Sequence, residues 1–359
     1  MAGRGAGLGA GADAEPSLRV HTPAEMLERL ADPAAGERFG PQGEQGVLVV
    51  DLDAGAGPAS VSAQRRRAAE QGLASLPCPS IGIAADPADL DVSCAALARR
   101  LDVLVPSRPD CARLAAAAAA QPLAATVLVQ LLRLSEGRPI ADALVAESLV
   151  YSTLQAGPGF AAWRESRGAP RARPDPPGPP VRVARSGARL DLVLSRPHKR
   201  NAFSAAVRDA LCEALAVAVA DASIHEVRLR GEGPDFCSGG DLDEFGSLPD
   251  PATAHVIRTT RSPARLLAAC AERVQVFVHG ACVGAGAELP AFAARVVARE
   301  DARFWLPELS MGLVPGAGGT SSLPRRIGRQ RTAWLALGGE PIDARTALTW
   351  GLVDAIGEP

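Results

Sequence analysis

Aromatic residues make up only 4% of the 359 positions, with a single tyrosine, and lysine occurs once, at Lys199. Platforms that stack single-stranded nucleic acid need several rings, and their scarcity argues against such a role. The net charge is −2 and no long basic run is present, so the electrostatic footprint of a DNA, RNA or anionic-lipid binder is missing. Seven cysteines are scattered without a CxxC pair. That speaks against a zinc site or a disulfide framework and predicts a reducing, cytoplasmic setting. Long apolar runs are also lacking. Residues 114–132 are mostly alanine and are broken by Gln121 and Pro122, which predicts two helices of a soluble protein and no membrane span. The opening MAGRGAGLGAGADAEP has no sustained apolar stretch and reads as a flexible tail, not a signal peptide.

Small residues are abundant instead, with 36 glycines and much alanine within the 47% hydrophobic content. The length suggests two units. Residues 1–45 are polar and Gly/Pro-punctuated, predicting a flexible segment with one helix at 23–30 capped by Thr22. Apolar runs at 47–52, 81–84 and 103–105 alternate with helical stretches, including 88–100, and predict an α/β region over 46–108. From 109 to 168 the pattern is helical, with helices near 109–119, 122–134, 139–155 and 158–167. Ala143, Leu144, Glu147, Ser148, Tyr151 and Leu154 fall at the spacing of one buried helix face. The run GAPRARPDPPGPP then excludes helix and inner strand and marks a linker over 169–180.

A second α/β unit spans 181–359. A strand pair at 181–184 and 190–194 precedes a long helix capped by Ser204. Further strands are expected at 226–230 and 274–278, and helices near 251–270, 319–323, 329–338 and 343–350. The segment 279–320, HGACVGAGAELPAFAARVVAREDARFWLPELSMGLVPGAGGT, carries the chemistry. A Gly/Ala turn runs into a short helix bearing Glu288, a second carboxylate, Glu308, follows Pro307, and a Gly-rich loop closes the segment at 316–319. Small residues let backbone N–H groups approach a ligand. Two glutamates beside such a turn suit proton transfer next to a developing oxyanion.

Six pieces of residues 181–359 occur in one order: Arg196-Pro-His-Lys-Arg-Asn201-Ala202; Phe236-Cys-Ser-Gly-Gly240-Asp241-Leu242; His279-Gly-Ala-Cys-Val-Gly-Ala-Gly-Ala-Glu288-Leu; Leu306-Pro-Glu308-Leu-Ser-Met-Gly312-Leu; Pro315-Gly-Ala-Gly-Gly319-Thr; and Ala347-Leu-Thr-Trp-Gly351-Leu-Val-Asp354. Together they resemble the enoyl-CoA hydratase/isomerase (crotonase) superfamily. The resemblance implies an α/β fold with a ββα spiral core that binds acyl-CoA thioesters, beside a smaller N-terminal α/β and helical region. It implies an oxyanion hole made by the N–H groups of Gly240 and Ala285. It also implies enoyl-CoA hydration, with Glu288 activating water for attack at C3 and Glu308 supplying the proton at C2. Coenzyme A enters as part of the substrate, and no metal or redox cofactor is implied. Lys199, Ala202, Ser238, Asp241, Leu242, Gly284 and Trp163 are expected around the substrate, Asp241 more as a helix cap than as a chemical group. Cys237 and Cys282 read as small buried residues, and Ser238 lacks the partners of a serine nucleophile. A homotrimer or hexamer is the implied assembly. Isomerase, hydrolase, oxygenase and non-catalytic acyl-CoA-binding readings remain open at this point.

The first half carries a second resemblance. Family members end in helices after the Gly-Leu-Val-Asp motif, and this sequence places no such helices there. Ala162-Trp163-Arg164-Glu165-Ser166-Arg167 with Pro170 resembles the family's terminal signature, and Glu147 sits where an acidic residue precedes it. Residues 45–170 thus look like a worn crotonase copy that has lost its catalytic glutamate, with helices over 122–167 serving as the cap of the second unit. In that signature Trp163 is placed to cover the adenine, whereas Ser166 supplies no cation, leaving the phosphate contact to an arginine.

Overall fold

The computed structural model describes residues 18–43, 45–54, 62–168, 176–247, 250–338 and 340–358. The expected N-terminal tail up to residue 17 and most of the linker, 169–175, lie outside the described residues. The helix Pro23–Leu30 forms as predicted. Thr22 accepts from the Glu25 N–H while the Glu25 carboxylate accepts from the Thr22 N–H, a closed capping box.

Four short strands, Val20–His21, Leu48–Asp51, Ser80–Ile83 and Val103–Val105, pair in parallel in sequence order. Their apolar residues face both ways, as buried parallel strands require. One set packs with Met26, Leu30, Leu73 and Leu101 in a small core. The other joins a large core that continues through Leu114, Leu128 and Leu132 into the second unit. The helix expected over 88–100 is shorter, Val92–Ala98, because Asp91 caps it late by accepting from the Ser93 and Cys94 N–H groups.

Helices Arg108–Ala120, Pro122–Ser135, Ile140–Gln155 and Pro158–Arg167 follow the expected pattern within two residues. The first two bend by 110° between them, and no single described helix is long and apolar enough to cross a membrane. Arg133 and Arg329 clamp the buried carboxylate of Asp102, which ties the first sheet to the second unit.

That unit has a six-stranded sheet in the order Ala355–Ile356, Arg295–Ala298, Val274–Val278, Glu226–Gly231, Arg189–Leu194, Val181–Ser186, all parallel except the last pair. A three-stranded sheet holds Ile342–Asp343, Arg303–Trp305 and Ala281–Val283. Successive strands alternate between sheets. Val274–Val278 joins the large sheet and Ala281–Val283 the small one, and Arg295–Ala298 and Arg303–Trp305 divide in the same way. Single bridges from Cys237 to Cys282 and from Phe203 to Gly240 extend the small layer. This is the expected ββα spiral.

Two details differ from expectation. The 251–270 helix is two, Pro251–Thr260 and Pro263–Ala269, because Ser262 starts a new cap with Pro263 at the first helical position. The chain's final described turn adds a strand, Ala355–Ile356, beside Arg295–Ala298. The helices of 122–167 pack against the spiral of the same chain. Gly312, at φ +69, is pressed by the backbone of Gly159 and Phe160, so a side chain there has no room.

Candidate active site

The strand Ala281–Val283 ends at Gly284, whose φ of 47 and ψ of −116 turn the chain sharply into Ala285–Glu288. A Cβ on Gly284 would lie 2.3 Å from Glu308 Oε1 and 3.7 Å from Glu288 Oε1, so this glycine sits between the two predicted carboxylates. Ala285 opens the helical turn, and its N–H finds no acceptor within that turn. Across the site, Phe203 donates to the Gly239 carbonyl and accepts from the Asp241 N–H. In a parallel bridge those two bonds point Gly240's own N–H to the opposite side. Gly240, Ala285, Glu288 and Glu308 line one cavity of about 340 Å³.

The Gly-rich loop organises this cavity. Glu288 Oε2 accepts from the N–H groups of Ala317 at 2.7 Å and Gly319 at 2.8 Å. The alternate amides serve a third glutamate, contributed by the first half of the chain. Glu147 Oε1 accepts from Gly318 N–H at 2.7 Å, and its Oε2 accepts from Thr320 N–H at 2.9 Å and the Thr320 hydroxyl at 2.7 Å. Glu308 is less well provided, and its buried Oε2 has no hydrogen-bond partner among the described residues.

All three carboxyls are buried. Burial pushes Glu147 and Glu308 up to about 7. Burial, then the charges of Glu308 and Glu147, raise Glu288 well above the carboxylate range. The cluster therefore holds protons at neutral pH. Burial and neighbouring charge favour a protonated Glu288, but the two amides on its Oε2 oppose that rise, whereas Glu308 Oε2 has no donor among the described residues. When the cluster releases a proton, this geometry favours leaving the charge on Glu288 and the proton on Glu308.

The remaining predicted residues are spread more widely. Asp241 caps the turn Leu242–Glu244 by accepting from the Asp243 N–H. It also pairs with Arg196 at 3.1 Å and Lys199 at 3.3 Å, which fixes the loop that carries Gly240. Lys199 is thus already engaged, with Asp243 at 3.8 Å as well. Ala202 is buried and gives its carbonyl to Arg196 Nη1. The Ser238 hydroxyl makes only a long 3.5 Å contact to the Lys199 carbonyl. Cys237 and Cys282 are buried, as expected, and burial pushes the Cys237 thiol up to about 12. Trp163 and Leu242 lie outside the carboxylate cavity, in a neighbouring groove with Arg164, Arg167 and Phe245. Trp163 stacks on Phe160 at 5.7 Å, and the Arg167 guanidinium lies 5.8 Å from its ring.

Several cavity residues were not singled out as site groups by the sequence, among them Tyr151, Gln155, Phe203, Arg208 and Arg258. Tyr151 and Gln155 stand on the helix Ile140–Gln155, far from the motifs in sequence. The one available signal was the lone tyrosine on the same helix face as Glu147. Glu244, Phe245, Gly246, Ser247 and Arg258 also line the cavity, from a segment that carries no readable motif.

A ββα spiral whose glycine-rich turns and two buried carboxylates line one cavity defines a crotonase-type protein. Residues 187–357 match the enoyl-CoA hydratase/isomerase family. The chain belongs to this family. It is 38% identical over 174 residues to the 2,3-dehydroadipyl-CoA hydratase of Escherichia coli (strain K12), covering 48% of this chain and 68% of that protein. It is 36% identical over 169 residues to the 1,2-epoxyphenylacetyl-CoA isomerase of the same organism, covering 46% and 64%. A solved enoyl-CoA hydratase from Thermoplasma volcanium GSS1 aligns with a TM-score of 0.47 at 31% identity, over 51% of this chain and 73% of that one. The chain spans 68%, 60% and 64% of the length of three of its curated relatives.

Proposed function

We propose that this chain hydrates a 2-enoyl-CoA thioester. The observation that carries the reading is the meeting of the buried Glu288 and Glu308 in one cavity with Gly240 and Ala285. Water addition needs a base, an acid and a stabilised thioester oxygen in one dry place. Glu288 takes a proton from water as its oxygen attacks C3. The C2–C3 π electrons pass to the thioester oxygen, and the resulting enolate is held by the Gly240 and Ala285 N–H groups. Glu308 then delivers its proton to C2, and transfer from Glu288 back to Glu308 resets the pair. The sum is one water added across the double bond, and a water and an acid acting from one face make the addition syn. Each oxyanion donor is worth about 3–4 kcal/mol of the barrier, and the acid–base pair roughly 10²–10⁴-fold per group.

Coenzyme A fits the reading through the groove of Trp163, Arg164 and Arg167, where the arginines stand in for the cation that Ser166 lacks. Lys199, Ala202, Ser238, Asp241, Leu242 and Gly284 then border the path from that groove to the carboxylates. A cytoplasmic homotrimer or hexamer, with the worn first copy capping the site, completes the proposal.

Crotonyl-CoA tests it. Hydration lowers the enoyl absorbance without release of free CoA. Free CoA in its place identifies a hydrolase, and a shifted double bond an isomerase. Glu288→Gln and Glu308→Gln are each expected to slow hydration by about 10²–10⁴-fold, and full activity in either variant rejects its role.

A further inference from the structure

Four arginines, Arg208, Arg258, Arg261 and Arg265, line the carboxylate cavity and the one beside it. Arg208 is neutralised by both carboxylate oxygens of Asp209, at 2.9 and 3.1 Å. Arg261 pairs with Asp209 and Glu213, and Arg265 is exposed to water at the rim. Arg258 differs from all three. It stands on the helix Pro251–Thr260, half-buried, with its guanidinium 4.7 Å from the centre of the Tyr151 ring. Its Nε donates to the Ser148 hydroxyl at 3.1 Å and its Nη1 to Gln155 Oε1 at 3.0 Å. Its Nη2 donates to the Ser148 carbonyl at 3.3 Å and to the Ser152 hydroxyl.

Every one of these acceptors is neutral, and Arg258 forms no ion pair among the described residues. The Glu147 charge acts on it only through space, since both Glu147 oxygens are engaged by Gly318 and Thr320. Burial disfavours the guanidinium charge, and a cation withdrawn from water without an anion is costly. Five N–H donors are available on an arginine, so a second N–H on Nη1 is left over.

Arg258 also occupies a junction. It lines the cavity of Glu288 and Glu308 and a second, adjoining cavity of about 150 Å³, the two sharing Phe203, Arg208, Gly316 and Ala317 as well. The space around Glu288 and Glu308 thus continues, past Phe203 and the Gly316–Ala317 loop, into a second cavity that Arg258 also borders.

We propose that Arg258 receives a carboxylate at the far end of the acyl chain, so that the substrate is a 2-enoyl-CoA bearing a second acid group. The incoming anion takes the spare Nη1–H and neutralises an arginine that is partly withdrawn from water and has no carboxylate partner among the described residues. The Tyr151 ring and the Ser148, Ser152 and Gln155 side chains fix the guanidinium in advance, which lowers the ordering cost of binding. This inference rests on the acyl-CoA reading of the site and adds which acyl group it takes.

Two thioesters of equal carbon count test it, hex-2-enedioyl-CoA and hex-2-enoyl-CoA. The wild type is expected to favour the diacid in kcat/KM by about 10–100-fold, the worth of one charge-assisted hydrogen bond. Arg258→Met is expected to lose most of that preference, falling far more on the diacid than on the neutral chain, and Arg258→Lys to keep part of it. A wild type that prefers or equally accepts the neutral chain overturns the proposal. So does an Arg258→Met variant that loses both substrates to the same extent, which marks the arginine as a strut between helices. Binding of saturated adipyl-CoA against hexanoyl-CoA to the wild-type protein, followed by calorimetry, separates this inference from the hydratase reading. Preferential binding of adipyl-CoA without any hydration sinks the hydratase reading alone. Hydration without any preference sinks the Arg258 proposal alone.

Discussion

Glu147 and Glu288 interleave on one loop. The amides of Ala317 and Gly319 go to Glu288, and those of Gly318 and Thr320 go to Glu147. Glu288 belongs to the motif-bearing half of the chain and Glu147 to the other, 141 positions apart in sequence. A carboxylate that the resemblance only marked as an acidic position therefore binds two of the loop's four amides and so keeps the other two aimed at the proposed base.

Glu147→Gln tests that coupling. Both Glu147 oxygens accept hydrogen bonds, so the glutamine NH₂ faces a backbone N–H in either orientation. The loop is expected to shift, Glu288 to lose its donors, and kcat to fall about 10–100-fold while KM for the thioester changes little. Melting is expected to drop with it, by about 1–3 kcal/mol for a buried donor left without an acceptor. Steady-state kinetics and thermal unfolding of the variant give both readings, and an unchanged kcat rejects the coupling.

The raised carboxyl values set a direction with pH. Glu308 titrates at about 7 in the folded chain, against 4.5 for an ordinary glutamate. Between those values the folded state binds the extra proton, so stability is expected to decline as pH rises from about 4.5 to about 7, by roughly 1–3 kcal/mol. The same ionisation removes the proposed acid, so hydration is expected to fall above about pH 7. Glu308→Gln mimics the protonated side chain and should flatten its share of the stability change, as pH-dependent melting will show. Glu147→Gln removes one of the charges that raise Glu308 and should move the alkaline limb to lower pH.

Gly284→Ala probes the close approach at the turn. The added methyl meets Glu308 Oε1 at 2.3 Å, and φ of +47 disfavours any side chain. A strain of about 1–2 kcal/mol and a displaced Glu308 predict a folded but nearly inactive protein, measured as crotonyl-CoA turnover beside a melting curve. Turnover at the wild-type rate excludes the crowding.

Asp102→Ala tests what joins the two halves. Asp102 is 1% exposed and accepts from the Ser80 N–H and hydroxyl, Arg133 and Arg329. Its removal leaves the Arg133 guanidinium without a carboxylate and Arg329 with Glu136 alone, at an expected cost of about 3–5 kcal/mol. Thermal unfolding reads this directly. Activity at temperatures below the transition is expected to persist, because the junction does not line the carboxylate cavity.

Much of the local structure was legible because its causes are local. Thr22, Ser204 and the prolines at 122 and 158 mark helix starts through capping and fixed backbone angles, and the structure begins its helices there. The Gly-rich turns announced the site because close backbone approach admits only small residues, as Gly284 and Gly312 demonstrate. Boundaries failed where a competing cap intervened, at Asp91 and Ser262.

The sequence by itself determined the spiral's motifs, the paired glutamates Glu288 and Glu308 and the two glycine-rich turns, since each depends on residues near one another in the chain. Only the tertiary structure decided that Glu147 shares the loop with Glu288, that Arg258 stands beside Tyr151 without a carboxylate partner among the described residues, and that the helices of 122–167, expected as a cap, pack on the second half of their own chain. Those relations join residues more than 100 positions apart, and their energies come from burial and from hydrogen bonds that exist only once the halves have packed.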